Sequence, residues 1–344
     1  MRIRMAQNAD QGIWDSYVFG HLNGLAYHRF AWKRAVETAY GFAGKYLLAE
    51  TEGRIRGVLP MIFLKRPLLG GTLVSLPYCD VGGVLADDSM TQEALVKHAQ
   101  ELARECRAKV LDLRFSQPRG SCPSADGVGK VRMVLDLPES SEALLAGFKA
   151  KLRSQVLKPA RDGLSFRVGG TELLADFYAV FTENMRDLGS PVHSREWFGA
   201  ILRFFDEYVR VGVVYAPDGA PAAGGLILLH GATVTVPWAS SLRRYNRLNP
   251  NMLLYWSFLS FAADREYKHF DFGRSTPGEG TYRFKKQWGA QAIPLDWREV
   301  FPTGVKAAGG NQTVFREQIE AVWRRMPLAL CNFLGPRIRR YVSF

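Results

Sequence analysis

The feature that most constrains this chain is a strand–strand–strand–helix–strand plan that it uses twice. In the first half, YLLAE (46–50) and RIRGVLPMIFLK (54–65) read as strands about a turn at 51–53. A third strand, GTLVSLP, runs into the loop YCDVGG (78–83). A helical stretch over 91–107 follows, with Leu95, Ala99, Leu102 and Ala103 recurring at helical spacing, and then a short apolar strand, VLDLRF (110–115).

The second half repeats the order. VRVGVVYA (209–216) and PAAGGLILLHG (221–231) flank a turn at 217–220, and TVTVPWASS (233–241) continues the sheet. The polar loop LRRYNRLNPN leads to a helix over 252–266, and HFDFG (269–273) is the next strand. VLDLRFS and HFDFGRS are alike in composition, and each follows a helix after three strands. This pattern predicts a structural duplication. The alternative is two unrelated α/β units, because β–helix–β alternation is common.

Between the repeats lie VRMVLDLP (131–138), a helical region over 140–158 with Ser140 or Ser141 as N-cap, and helices near 171–188 and 194–207. QPRGSCPSADGVGK (117–130), rich in Gly, Pro and Ser, is the expected linker. The domains expected are therefore 1–130, 131–300 and a tail over 301–344.

A chain of 344 residues with 47% hydrophobic residues has enough apolar material for two cores and is not a disordered polymer. The 45 Lys and Arg against 33 Asp and Glu leave +12, which suits an anionic partner such as a nucleotide-linked substrate, coenzyme A, transfer RNA or an acidic membrane surface. A basic protein with no such partner has the same charge. Four scattered cysteines (Cys79, Cys106, Cys122, Cys331) with no CxxC pair point to a reducing compartment rather than a disulfide framework. MRIRMAQNADQGIW has no apolar core of signal-peptide length, and no stretch reaches the ~20 apolar residues of a membrane span. The expected location is the cytoplasm, with peripheral attachment to the inner face of the membrane as the variant.

Four runs carry a resemblance: RSQVLK (153–158), NMRDLGSPV (184–192), SLRRYNRLNPNMLLYW (241–256) and FDFGRSTPGEGTYRFKKQWGA (270–290). In this order they resemble FemAB-like, GNAT-related proteins, nearest to the subgroup associated with exosortase/PEP-CTERM export and exopolysaccharide systems. The resemblance covers most of 25–300, and its last run is the most specific. It implies an α/β (α+β) fold of two tandem GNAT-like domains with mixed sheets, and acyltransferase activity (EC 2.3 type). Fem proteins transfer an aminoacyl group from aminoacyl-tRNA to an amine of a peptidoglycan precursor, and relatives are thought to use acyl-CoA. The helical arm that typical Fem ligases use for transfer RNA has no clear counterpart here. The resemblance implies no tightly bound cofactor, with acyl-CoA or aminoacyl-tRNA as donor substrate.

Acyl transfer to an amine needs a proton acceptor, donors for the oxyanion and an acid for the leaving group. Asp271 lies in a short apolar strand, and alternation sends it to the face opposite Phe270 and Phe272. There it is placed to hold or deprotonate the amine; alternatively it caps a loop or pairs with Arg274. In GRSTPGEG, glycines at 273, 278 and 280 let the backbone approach a ligand, Ser275 and Thr276 add hydroxyls, and Arg274 offers a bidentate charge. The same residues also suit a plain turn into a helix. No GxxxxGK[ST] is present.

TYRFKKQWG reads as a short helix closed by Gly289, with Tyr282, Lys285 and Lys286 on one face toward an anionic substrate and Phe284 and Trp288 in the core. GNAT enzymes often place a tyrosine in this helix as acid for the leaving thiolate, and the resemblance gives that role to Tyr282. LRRYNRLNPN stands where GNAT folds bind the coenzyme A pyrophosphate. It lacks RxxGxG/A but offers Arg243, Arg244 and Arg247, and Asn249 or Asn251 opens a helix whose free N–H groups attract anions. Arg153, Ser154 and Lys158 form a second basic segment, either an acceptor site or a solvated face.

His193 reads as a packed loop histidine and Cys79 as a buried thiol, and no metal pattern is present. The tail mixes Trp323, Leu328, Leu330, Phe333 and Leu334 with Arg324, Arg325, Arg337, Arg339 and Arg340, which suits either an anionic membrane surface or packing on the second domain. The reading that follows is N-acyl or aminoacyl transfer to an amine of a cell-envelope or exopolysaccharide precursor. Its rivals are a non-catalytic assembly protein and a plain acyl-CoA-dependent N-acyltransferase.

Overall fold

The computed structural model describes residues 1–66, 70–116, 129–302 and 312–343. The expected linker, with Cys122, lies up to residue 128 outside them. The chain forms two compact units, 1–132 with 293–309 and 340–344, and 133–292 with 310–339.

In chain order the first unit contains β1 (Arg2–Met5), α1 (Gln11–Gly20), α2 (Phe30–Tyr40), β2 (Leu47–Thr51), β3 (Arg54–Leu59), β4 (Ile62–Arg66), β5 (Gly70–Val74), β6 (Leu85–Ala86), α3 (Ser89–Glu105) and β7 (Ala108–Ser116). The single strand expected over 54–65 is two, β3 and β4, separated at Pro60 and Met61. α3 starts at an Asp88 cap whose carboxylate accepts from Thr91 N–H at 2.7 Å. It lays Leu95, Ala99 and Ala103 onto Leu47, Ala49, Leu59, Leu73, Leu111 and Leu113 of the strands. Each fully buried leucine of this kind contributes roughly 1.5–3 kcal/mol. The helices α1 and α2 escape the sequence reading, although Trp14, Phe30 and Trp32 are sealed within the unit.

The second unit runs β8 (Val131–Asp136), α4 (Ser141–Gly147), α5 (Ala150–Arg161), β9 (Ser165–Gly169), α6 (Leu174–Leu188), α7 (Arg195–Phe205), β10 (Val209–Tyr215), β11 (Pro221–His230), β12 (Thr233–Ser241), α8 (Pro250–Ala263), β13 (His269–Ser275) and α9 (Gly280–Gln287). Its strands lie in the order β8-β13-β12-β11-β10-β9. Ser140 caps α4 through Ala143 N–H and Ser194 caps α7 through Trp197 N–H. Gly189, at φ +77°, ends α6 in the left-handed conformation that glycine adopts without strain.

The strand after α9, β14 (Gln291–Val300), pairs antiparallel with β7 from Leu295↔Ser116 to Val300↔Leu111. This pairing moves the end of the second unit from the expected 300 back to Ala292. The tail also divides. Its helices α10 (Gln312–Arg325) and α11 (Leu328–Arg339) pack on α6, burying Trp323 and Cys331. A Cβ on Gly335 would stand 2.8 Å from Val192 Cγ1, so α11 is seated closely. Arg340–Phe344 belong to the first unit.

The duplication is visible in the registers. β5 and β7 run parallel and their pairing ends at Val74↔Asp112; β12 and β13 run parallel and theirs ends at Thr235↔Asp271. Laying one pair on the other matches Asp112 with Asp271, Arg114 with Gly273 and Ser116 with Ser275.

Candidate active site

The β12–β13 divergence has a local cause. Opposite Leu226–Leu228 of β11, β12 advances from Trp238 to Thr235, one residue more than its partner. The extra residue is a bulge at Val236–Pro237, and Pro237 has no N–H to give a neighbouring strand. Beyond this bulge β12 has no register partner on β13 among the described residues.

Side chains secure the β13 lip of the gap. Asp271, only 1% exposed, accepts the Gly273 N–H at 2.8 Å through Oδ1. Lys285 reaches back from α9 and donates from Nζ to the carbonyls of Gly273 (3.2 Å) and Arg274 (2.7 Å). Gly273 itself sits at φ +74°, which a side chain would resist. Phe270 and Phe272 pack together at 4.8 Å on the other face, as alternation predicts for Asp271.

At the end of β13, Ser275 is 4% exposed and its Oγ has no hydrogen-bond partner among the described residues. A buried hydroxyl left unpaired costs about 1–3 kcal/mol. It is a polar group held ready in a closed setting.

The sequence reading set Tyr282, Lys285 and Lys286 on one face of α9, and the structure separates them. Lys285 is buried and donates to backbone carbonyls, whereas Lys286 is exposed with Nζ 5.8 Å from the Tyr282 ring centroid. Lys285 turns inward to donate hydrogen bonds to carbonyls at the end of β13, where the pairing with β12 has stopped. Phe284 and Trp288 pack as expected, 6.1 Å apart. GRSTPGEG is the turn into α9, with Glu279 N–H on the Thr276 carbonyl and a half-buried Arg274.

The basic segments are engaged locally. Arg243–Leu248 is a 3-10 turn in which Arg243 donates to the Asp187 carbonyl at 3.1 Å and Arg244 pairs with Glu183. Arg247 is exposed, and Asn251 lies half-buried in the first turn of α8. Arg153 donates to the Ala146 carbonyl (3.3 Å) and to that of Phe148, closing the end of α4. Ser154 is exposed and Lys158 pairs with Asp162 one helical turn on. Arg153 thus serves a helix end, and Lys158 an ion pair one turn along α5.

One aromatic escaped the sequence reading. Tyr255, on α8, stacks on Phe272 at 5.5 Å and meets Phe284 edge-on at 5.1 Å. Its hydroxyl has no hydrogen-bond partner among the described residues, and burial pushes its pKa up, so it keeps its proton. Its neighbours in MLLYWSFLSF are so largely apolar that only core packing could be read there.

His193 is buried beside Trp197, and burial with Arg339 nearby drives its pKa well down; it is a neutral core ring. Burial likewise raises the Cys79 thiol, so that it stays protonated. Among the described residues no group of His, Cys, Asp and Glu is placed to hold a metal, and no helix is long and apolar enough to cross a membrane. A concavity lined by Gly163, Ser165, Arg167, Tyr215 and Pro217 lies at the β9–β10 edge and not at the gap.

A tandem pair of α/β units, each with parallel strands that part beside an aspartate, is a tandem GNAT-like fold. Residues 147–286 match the family model of the acetyltransferase (GNAT) domain, so the second unit carries a domain of this type. No curated protein matches the chain. Among solved structures it is similar to FemX, with 15% identity, TM-score 0.66 and coverage of 93% of this chain and 100% of that one. It is also similar to the C-terminal domain (DUF2156) of a protein named as a lysylphosphatidylglycerol synthetase from Agrobacterium fabrum (16% identity, TM-score 0.54, 92% and 97% covered). A tandem GNAT protein from the clavulanic acid biosynthesis pathway matches at 14% identity and TM-score 0.52, with 89% and 100% covered. At these identities the likeness is one of fold: two GNAT-like units with mixed sheets.

Proposed function

We propose that the chain is a FemAB-like N-acyl or aminoacyl transferase whose reaction takes place in the β12–β13 gap of the second unit. One observation carries this reading: the parallel strands part after Thr235↔Asp271, leaving at the end of β13 a buried Ser275 hydroxyl with no hydrogen-bond partner among the described residues. Backbone groups of β12 beyond the bulge lack a β13 register partner, and such groups receive an acyl chain and its oxyanion. Asp271, oriented by the Gly273 amide, holds the attacking amine and takes its proton as the C–N bond forms. Ser275 steadies the acyl oxygen. A phenol, Tyr255 or Tyr282, gives a proton to the leaving group as its bond to the acyl carbon breaks. Arg247 and the first turn of α8 meet the anionic part of the donor.

The acceptor in this reading is an amine on a nucleotide- or lipid-linked precursor of the envelope or of an exopolysaccharide, within an exosortase/PEP-CTERM-type system on the cytoplasmic side. The fold shared with FemX and the net charge of +12 support it. The match to an acetyltransferase domain favours acyl-CoA as donor over aminoacyl-tRNA. Thermal-shift titrations with acyl-CoA, coenzyme A, nucleotide sugars and aminoacyl-tRNA test the proposal. Stabilisation by coenzyme A that Ser275→Ala and Arg247→Ala weaken supports acyl-CoA chemistry in this gap, and stabilisation by aminoacyl-tRNA alone reassigns the donor. With no response to any of them, the transferase reading gives way to an assembly role.

A further inference from the structure

In the first unit the matching gap is occupied by the chain itself. Arg114, which replaces Gly273, is fully buried, and its guanidinium donates to Asp112 Oδ2 at 2.8 and 3.1 Å, to the Cys79 carbonyl at 2.8 Å and to the Ser343 carbonyl at 3.0 Å. Its Nη2 also donates to Ser343 Oγ at 2.9 Å. The Ser343 carbonyl accepts a second bond, from Tyr78 N–H at 2.7 Å. Further along the same segment, the Tyr78 hydroxyl donates to the Arg340 carbonyl (2.6 Å) and Arg66 to the Tyr341 carbonyl (3.0 Å). The Tyr341 ring stands edge-on to Phe42 at 5.7 Å, and the Arg340 guanidinium lies over Phe42 at 4.8 Å.

These contacts have the character of peptide recognition. Three main-chain carbonyls of Arg340–Ser343 are read by fixed donors, and one aromatic ring is received by another. The loop that presents Tyr78 is strained, with Leu76 at φ +67° and Tyr78 at φ +68°, a conformation non-glycine residues keep only where their surroundings hold them in it.

We propose that the strand gap of the first unit is a peptide-binding site filled in cis by residues 340–343, a latch that closes this gap to other peptides. The proposal stands independently of the transferase reading, because none of these residues lies in the second unit.

The test compares the full chain with one ending at Arg339. A fluorescent synthetic peptide of residues 340–344 should bind the shortened chain saturably and the full chain at least about tenfold more weakly, because the tethered copy competes at high effective concentration. Hydrogen exchange at the Tyr78 amide should be at least about tenfold faster in the shortened chain, and added peptide should slow it again. A sequence-reversed peptide should do neither. Should the shortened chain fail to fold, the full-length double variant Arg340→Ala/Tyr341→Ala replaces it, with the same acceleration expected at Tyr78. Equal Tyr78 exchange in the full and altered chains, or equal peptide binding to the full and shortened ones, overturns the latch.

Discussion

The two units solve the same problem in opposite ways. In each, parallel strands part after an aspartate, and the backbone just beyond must find new partners. The first unit supplies them with side chains that fill the space: Ser75 Oγ accepts the Arg114 N–H at 2.7 Å, and the Arg114 guanidinium ties Asp112 to the loop and to Ser343. The second unit uses Asp271 and Lys285 at the strand edge and carries glycine where the arginine would be. A gap can therefore be opened or sealed at one position of the repeat, and the proposed reaction is assigned to the one left open.

The largest expected effect tests the open side. Asp271→Asn keeps an oxygen for the Gly273 amide but loses the proton acceptor, so turnover should fall about 10²–10⁴-fold with the melting temperature nearly unchanged. Asp271→Ala should also cost about 1–3 kcal/mol, because the Gly273 N–H is left unpaired. Steady-state kinetics and thermal unfolding separate the two, and normal turnover in the Asn variant removes Asp271 from the mechanism.

On the sealed side, Arg114→Met strands the Asp112 carboxylate in a buried setting. It should cost roughly 3–5 kcal/mol in a urea titration, with activity per folded molecule unchanged. A stable Arg114→Met protein would show that the filled gap contributes little to the first unit.

A smaller effect follows from His193. Its pKa is depressed on folding by burial, so the unfolded chain binds the proton first. The stability it contributes is present above its ordinary pKa of 6.5 and is lost as pH falls toward the folded value. Unfolding free energy should decline by up to about 1.4 kcal/mol per pH unit below 6.5, and His193→Leu should flatten that slope. An unchanged acid limb in the variant would place the sensitivity elsewhere.

The smallest effect concerns Arg247, exposed at the turn before α8. Arg247→Ala should raise KM for an anionic donor a few-fold, roughly, with the difference shrinking as salt is added. A salt-independent change would mean that the residue acts through the turn and not through its charge.

Much of this comparison is legible in the sequence. Strand and helix periodicity placed the two repeats, and VLDLRFS and HFDFGRS fell on strands whose registers end at matched aspartates. The roles of the charged residues could not be read in this way. Lys285 and Lys286 are adjacent in sequence, yet one closes a strand end and the other meets solvent, a difference fixed by the turn at 276–280. Arg153 and Arg244 likewise found partners at a helix end and across a loop, which no local spacing encodes. Tyr255 was hidden because an apolar helix buried on all sides has no periodic face to mark one polar atom. The Arg114–Ser343 contact joins positions far apart in the chain, and composition alone carries no trace of it.

The discontinuous first unit has a consequence for the order in which the chain can be made. Ribosomes add about 5–20 residues per second, and amino-terminal domains usually fold as they emerge. Here β14 and the 340–343 latch are translated only after the whole 133–292 core. The first unit must therefore wait with an unpaired β7 edge and an unsatisfied arginine while the 133–292 core is made. In a cell, the half of the molecule translated first is the half completed last, and nascent chains stalled before β14 are the ones that would call on chaperones.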